Sequence, residues 1–149
     1  MRALVQRVRY ARVRVNGSVV GEIGHGLLVF AGFAHSDTVS VLQWMAHKLV
    51  HLRVFPDAEG RMNCSVQEVG GGLLIVSQFT LYGDVRRGFR PSFTDAAPPE
   101  QARQLYEEFV QLCRRYPVSV AEGIFGAMME VELLNDGPVT IWIEREAGA

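Results

Sequence analysis

Residues 3–15 are rich in valine, with arginines interleaved. Val13 and Val15 interleave with Arg12 and Arg14, the period-two pattern of a half-buried strand, so residues 3–15 are predicted to be extended. The phase shifts around Arg7 to Ala11, which predicts a bulge or bend. Asn16-Gly17 is a hairpin turn signal, with a return strand over Ser18 to Ile23. After Gly24-His25-Gly26 the run Leu27 to Phe33 is nearly all apolar, which predicts a strand covered on both faces. The period then lengthens. Leu42, Met45, Ala46, Leu49 and Val50 form one stripe of a helix over Thr38 to Val50, with Ser36 or Asp37 as its cap. Leu52 to Phe55 reads as a short strand, Pro56 to Met62 as a polar loop and Asn63 to Val69 as irregular. Three glycines, Gly70 to Gly72, introduce the strand Leu73 to Val76.

Beyond Val76 the chain turns polar at Ser77-Gln78-Phe79-Thr80, and a basic loop follows from Val85 to Thr94. Pro98-Pro99-Glu100 opens a second helix, because proline in the first turn and an early acid both suit a helix start. Ala102, Leu105, Phe109 and Leu112 face its core side, and Pro117 stops it near Tyr116. Val118 to Glu122, Met128 to Leu134 and Thr140 to Glu144 read as strands, with turns at Gly123 to Gly126 and Asn135-Asp136-Gly137-Pro138. Strands outnumber helices, and hairpins lie beside helical crossovers. The expected fold is mixed α/β, with layered sheets and both helices on one side.

A chain of 149 residues, 48% hydrophobic, predicts one domain (1–149) with a core large enough to need no staple. Cys64 and Cys113 match no metal or redox spacing. No segment is apolar for the length of a membrane span. The start, Met1 to Arg7, lacks a signal-peptide apolar region, so a cytoplasmic location is expected. With net charge −1, there is no global attraction to DNA or RNA, and any RNA contact has to be local. The N-terminal arginines and Arg86, Arg87 and Arg90 are the places that offer one. His47 and His51 have the i, i+4 spacing of metal ligands, but Lys48 stands where a zinc protease has its glutamate, and no third ligand suggests itself.

Two stretches carry candidate chemistry. Ser77 to Thr80 leaves the end of a buried strand with hydroxyls, an amide and backbone N–H groups. A conventional Ser77 or Thr80 nucleophile needs a base, usually histidine, and nothing places His25, His35, His47 or His51 beside it. Oriented backbone N–H groups need no such base. Gly137-Pro138 offers a wall without side chains, since glycine lets a ligand approach the backbone and an X-Pro bond can be cis. Both stretches also read as ordinary turns: a strand exit with capping hydroxyls, and a tight connection between strands.

Taken together, Ser77-Gln78-Phe79-Thr80-Leu81 and Asn135-Asp136-Gly137-Pro138-Val139-Thr140 resemble the signature pair of the D-aminoacyl-tRNA deacylases. The likeness spans nearly the whole chain and includes Gln6-Arg7-Val8, Arg61 to Val66, Gly88-Phe89-Arg90-Pro91-Ser92-Phe93, the Pro98-Pro99-Glu100 helix and Phe125-Gly126-Ala127. Cys64 stands where the family usually has leucine, and Tyr82-Gly83-Asp84 departs from its common Tyr-Ala-Asp. The resemblance implies two layered sheets with helices on one side. It also implies hydrolysis of the ester between a D-amino acid, or mischarged glycine, and the 3′ end of tRNA. It implies a homodimer that uses no metal or cofactor, in which Gly137-Pro138 is a cis peptide inserted into the partner's site to exclude L-amino acids. Arg7 would fix that loop, and Ser77, Gln78, Phe79 and Thr80 would line the pocket for the aminoacyl group and terminal adenosine. The ester would be positioned by backbone, with the ribose 2′-hydroxyl assisting or, on an older view, with Thr80 as nucleophile.

Three other readings stay open. One is a related deacylase with a trans Gly-Pro bond that accepts L-alanyl-tRNA. Another is a Ser/Thr esterase dependent on Ser77 or Thr80. The third is a non-catalytic RNA-binding module built on Arg86, Arg87 and Arg90. Gly137→Ala is expected to harm the site more than the fold, the added methyl meeting substrate.

Overall fold

A computed structural model describes all residues, 1–149. Its elements, in chain order, are β1 (Arg2–Val15), β2 (Ser18–Ile23), β3 (Gly26–Gly32), α1 (Val39–His51), β4 (Phe55–Pro56), β5 (Met62–Cys64), β6 (Gly72–Ser77), a 3-10 turn (Phe79–Tyr82), α2 (Pro99–Arg114), β7 (Ser119–Glu122) and β8 (Glu130–Glu144). The mixed α/β architecture expected from the pattern is the one observed.

The sheet runs β2-β1-β3-β6-β7, with β8 antiparallel to β1 along nearly its whole length. β1 pairs with β3 through residues 2–8 and with β2 through residues 11–15. β3–β6 and β6–β7 are parallel, so a helix connects each pair, α1 between β3 and β6 and α2 between β6 and β7. The layers are made by one curled sheet rather than by separate large sheets; only β4–β5 forms a sheet of its own. The curl brings β2 against β7 at the far end of the order. A Cβ on Gly21 would lie 2.3 Å from the carbonyl oxygen of Glu122, so only glycine permits that approach.

The continuous apolar runs are explained by two cores, one on each face. Leu27, Val29, Ala31, Leu73 and Ile75 pack beneath α1 and α2. The intervening Leu28, Leu74 and Val76 point into the curl, against Val8, Ala11, Val13 and Ile23. α1 contributes Leu42, Met45, Ala46, Leu49 and Val50 as expected, and Val41 besides. α2 contributes Ala102, Tyr106, Phe109, Val110, Leu112 and Cys113. The Tyr106 hydroxyl donates to the carbonyl of Ile75 at 2.8 Å, tying α2 to the strand that leads into the polar stretch. Burial pushes the Cys113 thiol up to about 12, so it stays protonated and apolar in behaviour.

Three expectations need correction. The α1 cap is Thr38, whose carbonyl accepts from Val41 and Leu42, and its side chain caps nothing. Asp37 is buried and otherwise engaged: its carboxylate takes the Met1 ammonium at 2.7 Å and the Ala34 N–H at 2.8 Å. The strand expected at 52–55 starts only at Phe55 and pairs with Met62–Cys64, part of which reads as loop in sequence. The third correction concerns 128–144, where the expected strand–turn–strand is one strand, β8, carrying a large bulge.

The Met1–Asp37 pair is almost fully shielded from water, and both carboxylate oxygens are used. Removing one partner of such a pair leaves an uncompensated buried charge, which costs about 3–5 kcal/mol. Asp37→Ala is therefore expected to lower the urea midpoint by that equivalent; a loss under about 0.5 kcal/mol, within the range of an ordinary surface substitution, would contradict the assignment.

Candidate functional site

The polar stretch begins where β6 ends. Ser77 is the last paired residue, opposite Ala31 of β3. The Gln78 N–H donates to the Ala31 carbonyl at 2.8 Å, and the backbone then coils into the 3-10 turn. The leading N–H groups of that turn, at Phe79 and Thr80, have no partner within it, as at any helix start. Gln78 Nε2 donates to Thr80 Oγ1 at 2.5 Å, so the amide rather than a base holds the hydroxyl. Arg2 anchors the turn from beneath: its guanidinium donates to the Leu81 carbonyl at 2.9 Å and lies 4.3 Å from the centre of the Tyr82 ring.

A cavity of about 710 Å³ opens beside this turn. Ser77, Gln78 and Phe79 form one wall, and Phe93, Pro98 and Phe125 are among the apolar residues around it. Phe79 and Phe93 meet edge to face at 5.0 Å between ring centres. Every lining residue is apolar or neutral; no ionisable side chain faces the cavity. Thr80 is exposed beside the rim rather than in the lining. The sequence reading assigned no site role to Phe93, Phe125 or the pair Met128-Met129, although all line the cavity. The available signal was weak: Phe93 and Phe125 are apolar residues in turn-rich segments, whereas Met128-Met129 begin what reads as an ordinary strand.

Arg7, Gly137 and Pro138 lie elsewhere. None of them lines the cavity of the chain that carries them. In the β1–β8 ladder Gln6 pairs with Thr140 and Val8 with Asn135, so the single residue Arg7 stands opposite residues 136–139. The surplus main chain bulges out of the sheet and exposes Gly137 and Pro138, whose peptide bond is cis. Asn135 replaces the lost ladder bonds, its side-chain amide donating to the carbonyls of Arg7 at 2.9 Å and Val139 at 3.0 Å. The Arg7 guanidinium fills the concave side. It donates to the carbonyls of Val54 at 2.6 Å and Asp136 at 3.1 Å, and the Asp136 carboxylate lies 3.5 Å away. Arg9 reaches the other Asp136 oxygen at 3.7 Å. Arg7 therefore holds the loop from its concave side, and the largely exposed Arg9 adds a longer ion pair. The structure brings 77–79 together at the cavity and 7 with 137–138 at the bulge, but does not join the two groups within one chain.

An apolar cavity with a few convergent polar groups at a strand end is the form of a small-molecule site. With no ionisable lining, the chemistry open to it is that of oriented backbone and amide dipoles, which suits stabilising an ester carbonyl. Comparison with known proteins gives the class. A family described as D-Tyr-tRNA(Tyr) deacylase matches residues 4–144. The chain is 56% identical to the D-aminoacyl-tRNA deacylase of Desulfatibacillum aliphaticivorans, over 98% of this chain and 100% of that one. It is 53% identical to the D-aminoacyl-tRNA deacylase of Geobacillus sp. (strain WCH70), over 100% of this chain and 98% of that one. Among solved structures, the c-Myc DNA Unwinding Element Binding Protein superposes with a TM-score of 0.93 at 42% identity, covering 99% and 100% of the two chains. A probable eukaryotic D-amino acid tRNA deacylase shares the fold, with a TM-score of 0.83 at 21% identity over 95% and 97%. The protein is thus an ester-hydrolysing enzyme in class. It belongs to the D-aminoacyl-tRNA deacylase family.

The bulge geometry changes the expectation for Gly137→Ala. Gly137 has φ +129°, and an added Cβ would lie 2.9 Å from Val139 Cγ2 and 3.0 Å from an Arg7 guanidinium nitrogen. The methyl meets the chain's own lock before any substrate. Gly137→Ala is expected to cost about 1–3 kcal/mol of stability, measured by thermal or urea unfolding. Unchanged stability would mean that the bulge tolerates a side chain there.

Proposed function

We propose that this enzyme hydrolyses the ester joining a D-amino acid, or mischarged glycine, to the 3′ end of tRNA, and rejects L-aminoacyl-tRNA at Gly137-Pro138. The observation that carries the reading is the cavity without an ionisable group, walled at one end by Ser77-Gln78-Phe79. An aminoacylated adenosine presents an aromatic purine face to the apolar lining and one reactive ester to the polar strand end. Family members and relatives named for this activity support the substrate class.

In this reading, backbone N–H groups of the 79–80 turn hold the ester carbonyl oxygen, and the negative charge that develops there is stabilised without a nucleophilic side chain. The Gln78 amide orients the Thr80 hydroxyl at the rim. The conventional esterase alternative lacks its base, since no histidine or carboxylate lines the cavity. Water, assisted by the ribose 2′-hydroxyl of the substrate, is then the attacking group.

Chiral rejection needs Gly137-Pro138 beside the α-carbon, and these residues are exposed and away from their own chain's cavity. We therefore assign the wall to a homodimer in which each subunit inserts it into the partner's site. Supporting this, neighbouring strands carry an apolar strip, Leu4 paired with Phe30 and with Trp142, the last 49% exposed. A wall of main chain and ring carbons locked by Arg7 has no freedom to move aside for a side chain of the wrong hand. The setting is translation, and the expected compartment is the cytoplasm.

Purified protein is expected to discharge D-Tyr-tRNA and Gly-tRNA while leaving L-Tyr-tRNA intact, followed as loss of acid-precipitable labelled amino acid. Equal release of both enantiomers would overturn the proposal. Thr80→Ala should retain most turnover; near-complete loss with a trapped acyl-enzyme would favour the esterase. Sedimentation should give a dimer, and a monomer with full enantiomer selectivity would remove the cross-subunit assignment.

A further inference from the structure

We propose that the hairpin of residues 84–92 holds the unpaired RNA strand leading to the esterified nucleotide, with Phe89 stacking a base and Arg87 and Arg90 meeting phosphates. This rests on the deacylase reading above and goes beyond it, since that reading concerns only the terminal adenosine and its ester.

The hairpin is built rather than loose. Asp84 and Ser92 exchange two backbone hydrogen bonds, Asp84 N–H to the Ser92 carbonyl at 2.7 Å and Ser92 N–H to the Asp84 carbonyl at 3.0 Å. Gly88 turns the tip with φ +62°, and Pro91 stiffens the return. The base of the hairpin adjoins the cavity: the residue after Ser92 is Phe93, which lines it and packs on Phe79. Phe89 is four positions before Phe93, so the tip lies within about 14 Å of the rim at full extension. That is the ground crossed by the nucleotides before the terminal one.

The chemistry at the tip is selective. Phe89 is the most exposed aromatic side chain in the protein, at 105% of its reference area. A buried phenylalanine earns its place by packing, and this one packs on nothing. Its neighbours differ in how their charge is used. Arg86 is consumed locally, donating to both oxygens of Asp84 at 2.9 and 2.7 Å, with Asp95 also near it. This holds the Asp84 carboxyl down to about 2, so the acid stays ionised and Arg86 balances its charge locally. Arg87 and Arg90 have no carboxylate, carbonyl or ring partner. Two free guanidinium groups flanking a bare aromatic ring, on a chain of net charge −1, form a local cationic and stacking platform. Single-stranded nucleic acid is bound in this way, bases on aromatic faces and phosphates on arginines. A protein partner and a second copy of this chain are the other possible occupants, and the test below distinguishes them.

The experiment compares two substrates, D-Tyr-tRNA and the D-tyrosyl ester of adenosine alone, on the full-length enzyme. Phe89→Ala and the double variant Arg87→Ala/Arg90→Ala are expected to lose about tenfold in kcat/KM on the tRNA substrate and nothing on the adenosine ester. Phe89→Trp should restore the loss. In the double variant, log(kcat/KM) on tRNA against log[salt] should become shallower by about 1 to 1.5, as two single-strand phosphate contacts disappear. Equal losses on both substrates, no loss on tRNA, or a change of oligomeric state in Phe89→Ala would overturn the proposal. Affinity for uncharged tRNA, read by fluorescence anisotropy, separates the two levels. Wild-type protein that discharges neither substrate, yet loses tRNA affinity in these variants, would refute the deacylase reading alone. Unaltered tRNA affinity would refute the hairpin assignment alone.

Discussion

The geometry of the protein depends on how one surplus stretch of main chain is satisfied. β1 and β8 form the longest ladder in the fold, and they hold it despite a mismatch of Arg7 against residues 136–139. Backbone N–H and carbonyl groups cannot be left without partners in a half-buried sheet. The Asn135 amide closes the gap by bonding carbonyls on both strands, and the Arg7 guanidinium takes two more from a third direction. Val54, one of those acceptors, lies in the connection between α1 and β4, so a segment outside the ladder braces the bulge. Without these bonds the ladder would re-register or fray, and Gly137-Pro138 would lose their fixed exposure.

The cavity is the complementary case. Its floor is the end of a fully buried parallel strand, and its walls are apolar or neutral. Several charged residues nearby are paired outside it: Asp84 by Arg86, Arg2 by Leu81 and Glu144, Asp37 by the Met1 ammonium. Keeping ions out lowers the local dielectric, which strengthens each remaining dipole. A site of this kind gains its power from how rigidly its donors are held, and the strand end and the anchored 3-10 turn provide that rigidity.

The elements were readable because their periods were clean. The double coverage of 27–33 followed from its unbroken apolar run, and Asn16-Gly17 turns as expected, with φ +51° and +80°. The phase shift in 7–11 located the irregular part of β1, where the β8 register slips twice. Failures fell where a distant partner overrode local chemistry. Asp37 looked like a helix cap, but a buried ammonium outcompeted the α1 N-terminus for its oxygens. Asn135 to Pro138 looked like a turn between strands, because turn propensity cannot register that an amide and a guanidinium from elsewhere would hold the ladder together across it.

Sequence alone determined the alternation of buried and exposed positions, the two helices and the identity of the two candidate stretches, since these depend on neighbours a few residues apart. Tertiary structure decided that Ser77 to Phe79 meet Phe93, Phe125 and Met128-Met129 around one cavity, and that Gly137-Pro138 stand outside it on the same chain. Those relations are set by the curl of the sheet and by hydrogen bonds between residues more than a hundred positions apart, such as Arg7 with Asp136. A linear pattern carries no measure of such distances.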